Sequence, residues 1–225
     1  MSKPRIPRGD VLWFHQESRL IGVFVRAFQI LREAEKPLPP GENEISRRLS
    51  FCLRDANEEL RGRMQHVHSL PFLRAHVQPD PSEPNGGPPE EKEPDFEWQW
   101  RDPQEADARR MYKHYHIECK RLGKPPSRWC AKYVIEGICR FIDRNHSYGR
   151  GLPSGMMIGY VQSWELAELL KAVNRSAASQ AISELRLSQK GWRRGETSRL
   201  DQTLERPRVA PSPFHLRHFW VDLRS

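Results

Sequence analysis

Hydrophobic residues recur every three or four positions in two stretches near the N-terminus. Between Val11 and about Glu35 their spacing predicts a helix, which the Pro- and Gly-rich run 37–41 ends. From Glu42 a second apolar stripe continues to Leu60 in steps of three, four and seven residues, as one buried helix face requires. We therefore predict an N-terminal helical extension over residues 1–40 and a second helix at the start of the next unit.

Shorter segments after residue 65 have the patterns of strands. Leu70–Val77 is a short candidate, 95–100 alternates apolar and polar side chains, and Met111–Lys120 alternates in the same way. The apolar run Met156–Val161 predicts a buried strand. Between the first two candidates, the loop 79–93 is rich in Pro, Gly and Glu and is predicted to be mobile.

The remaining segments complete a layered arrangement. Ser127–Arg144 predicts one helix, and helical character from Trp164 to Val173 weakens toward Leu187. Leu200–Glu205 and Phe214–Leu223 are late strand candidates. The order helix, three strands, helix, strand predicts an α/β fold, with a core over residues 41–165 and a C-terminal helix and strands over 166–225.

Charge narrows the class of partner. The 225 residues carry a formal net charge of +8, and a basic chain favours polyanions such as nucleic acid. No apolar run approaches the roughly 20 residues that span a bilayer, and no secretory core follows the N-terminus. Four cysteines without C-x-x-C spacing indicate reduced thiols. These features predict a cytoplasmic protein that binds nucleic acid rather than a membrane.

Three residues form a chemically active pattern on the second and third predicted strands. Glu118 and Lys120 are two positions apart, so they project from the same face, and Asp95 opens the neighbouring strand. Two carboxylates close together repel unless a cation lies between them. Magnesium prefers hard oxygen ligands, so Asp95, Glu118 and the backbone carbonyl of Cys119 predict a Mg²⁺ site, with Mn²⁺ as an alternative ion.

Pro94-Asp95, a gap of 22 residues and Glu118-Cys119-Lys120 resemble the PD-(D/E)XK, or restriction-endonuclease-like, nuclease superfamily. The predicted order of elements from Glu42 to Val161 is similar to the core of that family. The resemblance implies a mixed sheet flanked by helices, Mg²⁺-dependent hydrolysis of phosphodiester bonds in DNA, and a role in restriction or defence against foreign DNA. It also implies that Lys120 assists the attacking water.

The family often adds an acidic residue from the helix before the strands, which suggests a role for Glu42. Glu42 lies within about 40° of the centre of the apolar stripe at 100° per residue. Complementing the positive N-terminal end of the helix dipole is the alternative role.

Basic residues follow the acidic pattern directly, and a basic strip beside a hydrolytic centre holds a phosphate backbone without reading bases. The candidates for nucleic-acid binding are Arg121, Lys124, Arg128, Lys132 and Arg150.

Other interpretations of the sequence remain open. His114 and His116 share a face with Glu118 and suggest a transition metal, but no third ligand has a recognisable spacing. The same acidic site would serve an RNA-cleaving nuclease or toxin. A nucleic-acid-binding subunit of a larger nuclease complex, a homodimer and a protein that depends on a targeting partner are further alternatives. Serine hydrolase, phosphate-loop and dinucleotide-binding motifs are absent from the sequence.

Overall fold

The computed structural model describes residues 8–34, 41–74, 92–125 and 127–224. Within these ranges, seven strands form one mixed sheet and four α-helices flank it. The α/β class is therefore confirmed. In chain order the elements are α1 (Arg8–Glu33), α2 (Glu42–Arg61), β1 (Phe72–Leu73), β2 (Phe96–Arg101), β3 (Tyr112–Leu122), α3 (Trp129–Ile135), a 3₁₀ turn (Ile138–Phe141), β4 (Ser154–Val161), α4 (Leu166–Ser179), β5 (Arg186–Leu187), β6 (Thr197–Leu204) and β7 (Phe214–Asp222).

The strand order across the sheet is β1-β2-β3-β4-β7-β6-β5. Strands β1, β2 and β3 form an antiparallel meander, and α3 leads to β4, which lies parallel to β3. The predicted order of helix, three strands, helix and strand is thus confirmed between residues 42 and 161. Strand β7 adds to β4 in parallel, so three adjacent strands end at the same edge of the sheet.

Apolar side chains cover both faces of this sheet. Helices α1 and α2 pack on one face, where Phe24 meets Phe96 edge-on and Phe28 contacts Phe219. Helices α3 and α4 cover the other face, around the buried Trp220. No helix in the described ranges has the length and apolar character needed to cross a membrane.

One predicted helix is wrong in its extent. The segment Ser127–Arg144 is not continuous, because α3 ends at Ile135 and Gly137 takes a non-helical backbone conformation (φ −121°, ψ −81°). A Cβ at Gly137 would lie 2.5 Å from both Met157 Cε and the Tyr133 carbonyl oxygen, so only glycine fits this close approach. The chain turns here and continues as the 3₁₀ turn.

Two smaller predictions also differ from the structure. Within 70–74 only Phe72–Leu73 is a strand, and the rest of the predicted strand to Val77, like residues 79–91 of the predicted mobile loop, lies outside the described residues. Helix α4 ends at Ser179, so the helical character expected up to Leu187 is wrong. Arg186–Leu187 instead pairs with β6, because without this segment the backbone N–H and C=O groups on that side of β6 would form an open sheet edge.

Arg206 connects the end of β6 to the loop that follows the 3₁₀ turn. Its guanidinium is fully buried and donates five hydrogen bonds of 2.7–3.3 Å to backbone carbonyl oxygens, those of Phe141, Tyr148, Gly149, Leu152 and Pro211. It also lies 3.5 Å from the centre of the Phe214 ring. Burial lowers the pKa of Arg206 to about 9, so the side chain is still charged at neutral pH.

We predict that Arg206→Lys lowers the free energy of unfolding by about 2–4 kcal/mol. An ammonium has three donors, so at least two of the five buried carbonyl oxygens would lose their partner. Urea unfolding monitored by tryptophan fluorescence measures the change. Arg208→Lys, at an exposed position two residues after Arg206, is the matched control and should leave stability unchanged. Equal stability of both variants and wild type would contradict this role.

His218 on β7 predicts a pH dependence of stability. The ring is fully buried, its Nδ1 lies 2.8 Å from the Tyr133 hydroxyl, and burial lowers the pKa of His218 to about 3. The histidine of the unfolded chain therefore takes up a proton as the pH falls below about 6.5, whereas that of the folded chain stays neutral until about pH 3. The free energy of unfolding consequently decreases as the pH falls from 6.5 toward 3.

Between pH 7 and pH 4 we expect this histidine to remove about 3 kcal/mol of stability. In His218→Asn, whose amide oxygen can accept a hydrogen bond from the Tyr133 hydroxyl, the free energy of unfolding should fall less over the same pH range. Urea unfolding at both pH values tests this, with His215→Asn, an exposed position of the same strand, as control. Equal acid sensitivity of His218→Asn and wild type would be inconsistent with a buried neutral ring.

Candidate active site

The predicted acidic residues and Lys120 lie together on the sheet face that α3 covers. Phe96 pairs with Ile117 between β2 and β3, so Asp95, one residue earlier, comes opposite Glu118. The Lys120 ammonium is 2.7 Å from Glu118 Oε1 and 3.6 Å from Asp95 Oδ2. The meander and the period of two along β3 are therefore sufficient to assemble these three side chains.

Glu42 joins the same cluster from the first turn of α2. Its Oε1 lies 3.2 Å from Lys120 Nζ, and its Oε2 accepts a 3.1 Å hydrogen bond from the backbone N–H of Arg121. The carboxylate thus ties the start of α2 to the end of β3. Both roles considered from the sequence are compatible with this position, because Glu42 lies at the helix N-terminus and contacts Lys120.

The backbone of Cys119 supplies two further contacts. Its N–H donates a 2.8 Å hydrogen bond to Asp95 Oδ2, and its carbonyl oxygen accepts one of 2.8 Å from Lys120 Nζ. The thiol points away into the apolar layer on the α1 and α2 side. One backbone residue therefore holds the aspartate and the lysine in a common orientation.

Burial dominates the electrostatics of Glu118. The residue has no exposed surface, and burial, reinforced by repulsion from Asp95, raises the pKa of Glu118 to about 8 against the opposing effect of Lys120 and Arg140. Burial also disfavours the Lys120 ammonium, but Glu118, Asp95 and Glu42 outweigh it and raise the pKa of Lys120 above its usual value. Lys120 is therefore a stable cation beside a carboxylate that is costly to ionise.

One oxygen of Glu118 has no hydrogen-bond partner in the part of the chain that the structure describes. Oε1 accepts hydrogen bonds from both Lys120 and Arg140, whereas Oε2 is buried and has no hydrogen-bond partner within the described residues. A buried acceptor that lacks a hydrogen-bond partner destabilises the folded state. Oε2 is thus the point of this cluster at which a further positive or donating group would be stabilising.

Arg140 is a member of the site that sequence reasoning missed. The turn after Gly137 directs its side chain onto the sheet, which a continuous helix over Ser127–Arg144 does not predict. Its Nη1 lies 2.6 Å from Glu118 Oε1, and the side chain is 29% exposed. The glycine inside the predicted helix was the available signal, since glycine in a helix interior is unfavourable and often marks a break.

A second polar layer lies next to the cluster. Glu97, two residues after Asp95, is fully buried, with His114 Nδ1 at 2.9 Å and His116 Nε2 at 3.5 Å. Burial opposes ionisation of Glu97, but the two histidines prevail and lower the pKa of Glu97 to about 2. Nδ1 of His116 accepts a 2.8 Å hydrogen bond from the Gly149 N–H, which ties the loop that Arg206 holds to this layer.

The described residues were compared with the ligand groups that hold metal ions through side chains alone. No group of three or more His, Cys, Asp or Glu side chains within the described residues is arranged to hold a metal ion. The transition-metal site suggested by His114 and His116 thus gains no third ligand. The candidate oxygen donors are two carboxylates, on Asp95 and Glu118, and the carbonyl of Cys119.

The predicted nucleic-acid-binding residues differ in environment. Arg121 is partly buried and its guanidinium lies 4.4 Å from the centre of the Trp129 ring. Lys124, Arg128, Lys132 and Arg150 are exposed. Lys132 forms an ion pair of 3.3 Å with Glu136 one helical turn later. Arg121, Lys124 and Arg128 follow the acidic cluster most directly along the chain.

Comparison of the chain with models of protein families, with curated proteins and with solved structures finds no match. The function must therefore be inferred from the geometry of the site itself.

We predict that Glu118 and Arg140 are energetically coupled. Glu118→Gln and Arg140→Met should each change the free energy of unfolding, and the double variant should show a coupling of about 1–3 kcal/mol because the contact is charged and largely buried. Urea unfolding of all four proteins measures this coupling. The exposed Arg144→Met is the matched control and should show no coupling to Glu118→Gln; a coupling near zero for Arg140 would argue against the contact.

Proposed function

We propose that the protein is a metal-dependent nuclease that hydrolyses phosphodiester bonds, with a restriction-endonuclease-like core. The observation that carries the proposal is the convergence of Asp95, Glu118 and Lys120, with Glu42, at the junction of α2, β2 and β3. The succession of a helix, an antiparallel meander, a crossover and a parallel strand supports the same conclusion.

The oxygen atoms of this cluster fit a divalent cation. Asp95, Glu118 and the Cys119 carbonyl are hard donors of the kind that Mg²⁺ and Mn²⁺ accept, and Glu118 Oε2 is a buried acceptor without a partner in the described residues. A bound cation supplies a water of lowered pKa and neutralises charge that develops on a phosphate. Asp95 and Glu118 would hold it, and Glu42 would contribute through Lys120.

The chain's own groups have distinct tasks in this proposal. Lys120 donates to Glu118, Glu42 and the Cys119 carbonyl, which uses its three N–H donors and fixes its charge beside the cluster. This charge would stabilise negative charge that develops on a phosphate, and Lys120 would orient the attacking water by exchanging its longest contact, the 3.2 Å one to Glu42. Arg140 keeps Glu118 in place and is partly exposed, so it can also approach a phosphate. Asp95 is fixed by the Cys119 N–H.

A purely structural role explains this cluster less well. Buried ion pairs contribute little net stability, and replacing them with apolar residues is often neutral or stabilising. Here Glu118 is buried among a lysine, an arginine and a second carboxylate, and one of its oxygens has no partner in the described residues. Such an arrangement of perturbed groups is typical of functional sites.

DNA is the proposed substrate because of the charge of the chain and the family that the motif resembles. The formal net charge is +8, and three basic residues follow Lys120 within eight positions along the chain, namely Arg121, Lys124 and Arg128. Phosphate contacts of this kind hold a nucleic-acid backbone without reading its sequence.

We predict that the purified protein cleaves plasmid or linear DNA with Mg²⁺ or Mn²⁺ and is inactive in EDTA. Asp95→Asn keeps an acceptor for the Cys119 N–H but removes the charge, and Lys120→Ala removes the ammonium. Each should lower the rate of cleavage about 100-fold or more. Gel assays with plasmid, linear DNA and RNA measure the rates.

Lys190→Ala, at an exposed position, is the matched control for the loss of one positive charge and should retain activity. Cleavage that survives in both site variants, or in EDTA, would refute the assignment. Preferential cleavage of RNA would favour a ribonuclease on the same site, and the absence of cleavage of every substrate would favour a binding subunit.

A further inference from the structure

Trp164 lines two open cavities just beyond the end of β3 that carries Glu118 and Lys120. The first, of about 620 Å³, is lined by Lys124, Arg194 and Arg224 among others. The second, of about 480 Å³, lies beside α3 and α4 and has Arg128 and Arg175 among its lining residues. Trp164 lines both, and we name the two cavities together the Trp164 trough. Both volumes are within the range of small-molecule sites.

Trp164 has an unusual backbone conformation for a bulky residue. Its φ is +76°, in the left-handed region that favours glycine. Arg224 holds it there, because Nη1 of Arg224 donates a 2.6 Å hydrogen bond to the Trp164 carbonyl oxygen while Asp222 binds the other guanidinium nitrogens at 2.6 and 2.7 Å. Strain of this kind is concentrated at ligand-binding positions. The half-buried indole is therefore held in position by the contact of its backbone with Arg224.

The two cavities offer complementary chemistry. The second is lined mainly by apolar and small groups, and it suits a flat aromatic ring, with the exposed Arg128 and Arg175 beside it. In the first, Arg194 pairs with Glu165 at 3.0 Å and Arg224 pairs with Asp222 at 2.6 Å, so the surplus positive charge of this cavity is that of Lys124. Lys124 there is exposed and has no ion-pair partner within the described residues. An apolar aromatic surface between basic groups matches a nucleotide, which has a base and a phosphate.

The position of the trough relative to the acidic cluster also favours nucleic acid. Lys124 follows Lys120 by four residues, which is about 13 Å along an extended chain. Arg121, stacked on Trp129, lies between them in sequence. A strand whose phosphate is at Lys120 would therefore have neighbouring nucleotides within reach of Lys124 and Trp164.

We propose that the Trp164 trough binds an unpaired segment of the nucleic-acid substrate, with a base stacked on Trp164 and the flanking phosphates on Lys124 and Arg128. This inference rests on the proposed nuclease function and names its substrate class as single-stranded, flapped or overhanging. A paired base is already stacked inside the duplex and cannot stack on a side chain unless it is flipped out.

Binding measured in EDTA separates this inference from catalysis. A fluorescein-labelled 15-nucleotide DNA strand, the same strand in a blunt duplex, and an RNA strand of the same sequence are titrated with protein while anisotropy is recorded at two salt concentrations. Wild type should bind the single strand at least tenfold more tightly than the duplex. The DNA and RNA arms identify which sugar is preferred.

Variants of Trp164 test stacking at constant backbone strain. Trp164→Leu keeps an apolar side chain but loses the aromatic face, so its affinity for the single strand should fall by about tenfold or more. Trp164→Phe keeps an aromatic face and should recover most of that loss. Thermal unfolding of both variants verifies that they are folded.

Charge variants give an independent measurement. Lys124→Ala and Arg128→Ala should each weaken binding. Each should also reduce the magnitude of the slope of log affinity against log salt by about the amount that one phosphate contact contributes. Lys190→Ala removes the same charge at an exposed position outside the trough and should bind like wild type.

Equal affinity of Trp164→Leu and wild type, a duplex bound as tightly as the single strand, or no binding of the single strand by wild type would each overturn the inference. If binding behaves as expected but Lys120→Ala does not affect cleavage, the nuclease proposal fails while the trough remains a binding site.

Discussion

A carboxylate with no exposed surface is costly to keep charged, and Glu118 occupies this position near the centre of the sheet. The surrounding elements supply what the charge requires. Strand β3 brings Lys120 onto the same face, the turn after Gly137 brings Arg140, and α2 brings Glu42 against Lys120. Lys120 and Arg140 bind one oxygen of Glu118, whereas the other oxygen has no partner in the described residues. That asymmetry is the physical basis for proposing a cation site and a hydrolytic function.

The loop between the 3₁₀ turn and β4 stabilises this arrangement from the second polar layer. Arg206 binds the backbone carbonyls of the loop, and the Gly149 N–H reaches His116, whose ring faces Glu97. Gly149 has a φ of +69°, and a Cβ there would lie 2.6 Å from the Phe214 ring, so this contact requires glycine. The fully buried Arg206 thereby supports the face that carries Asp95 and Glu118.

Much of this organisation could be predicted from the sequence because it depends on local periodicity. The period of two in β3 places Glu118 and Lys120 on one face, and the antiparallel register places Asp95 opposite Glu118. Arg140 could not be placed in this way, because its direction depends on a backbone break at Gly137 that the contacts of Met157 and Tyr133 impose. The burial of Arg206 could not be predicted, because an arginine that follows a strand gives no local signal of burial. The alternation of β7 does place His218 on the same face as the buried Leu216 and Trp220. The trough at Trp164 depends on β3, α4 and the end of β7 meeting at one edge of the sheet.

The central claim is that the acidic cluster binds a divalent cation, and direct titration tests it without requiring turnover. Mn²⁺ binding is measured by electron paramagnetic resonance for wild type and Asp95→Asn, alone and with a phosphorothioate DNA strand that resists cleavage. Our account predicts that wild type binds Mn²⁺, that Mg²⁺ competes for the site, and that Asp95→Asn loses most of the binding. Equal Mn²⁺ binding by the two proteins, or no binding by wild type even with the DNA strand, would contradict it.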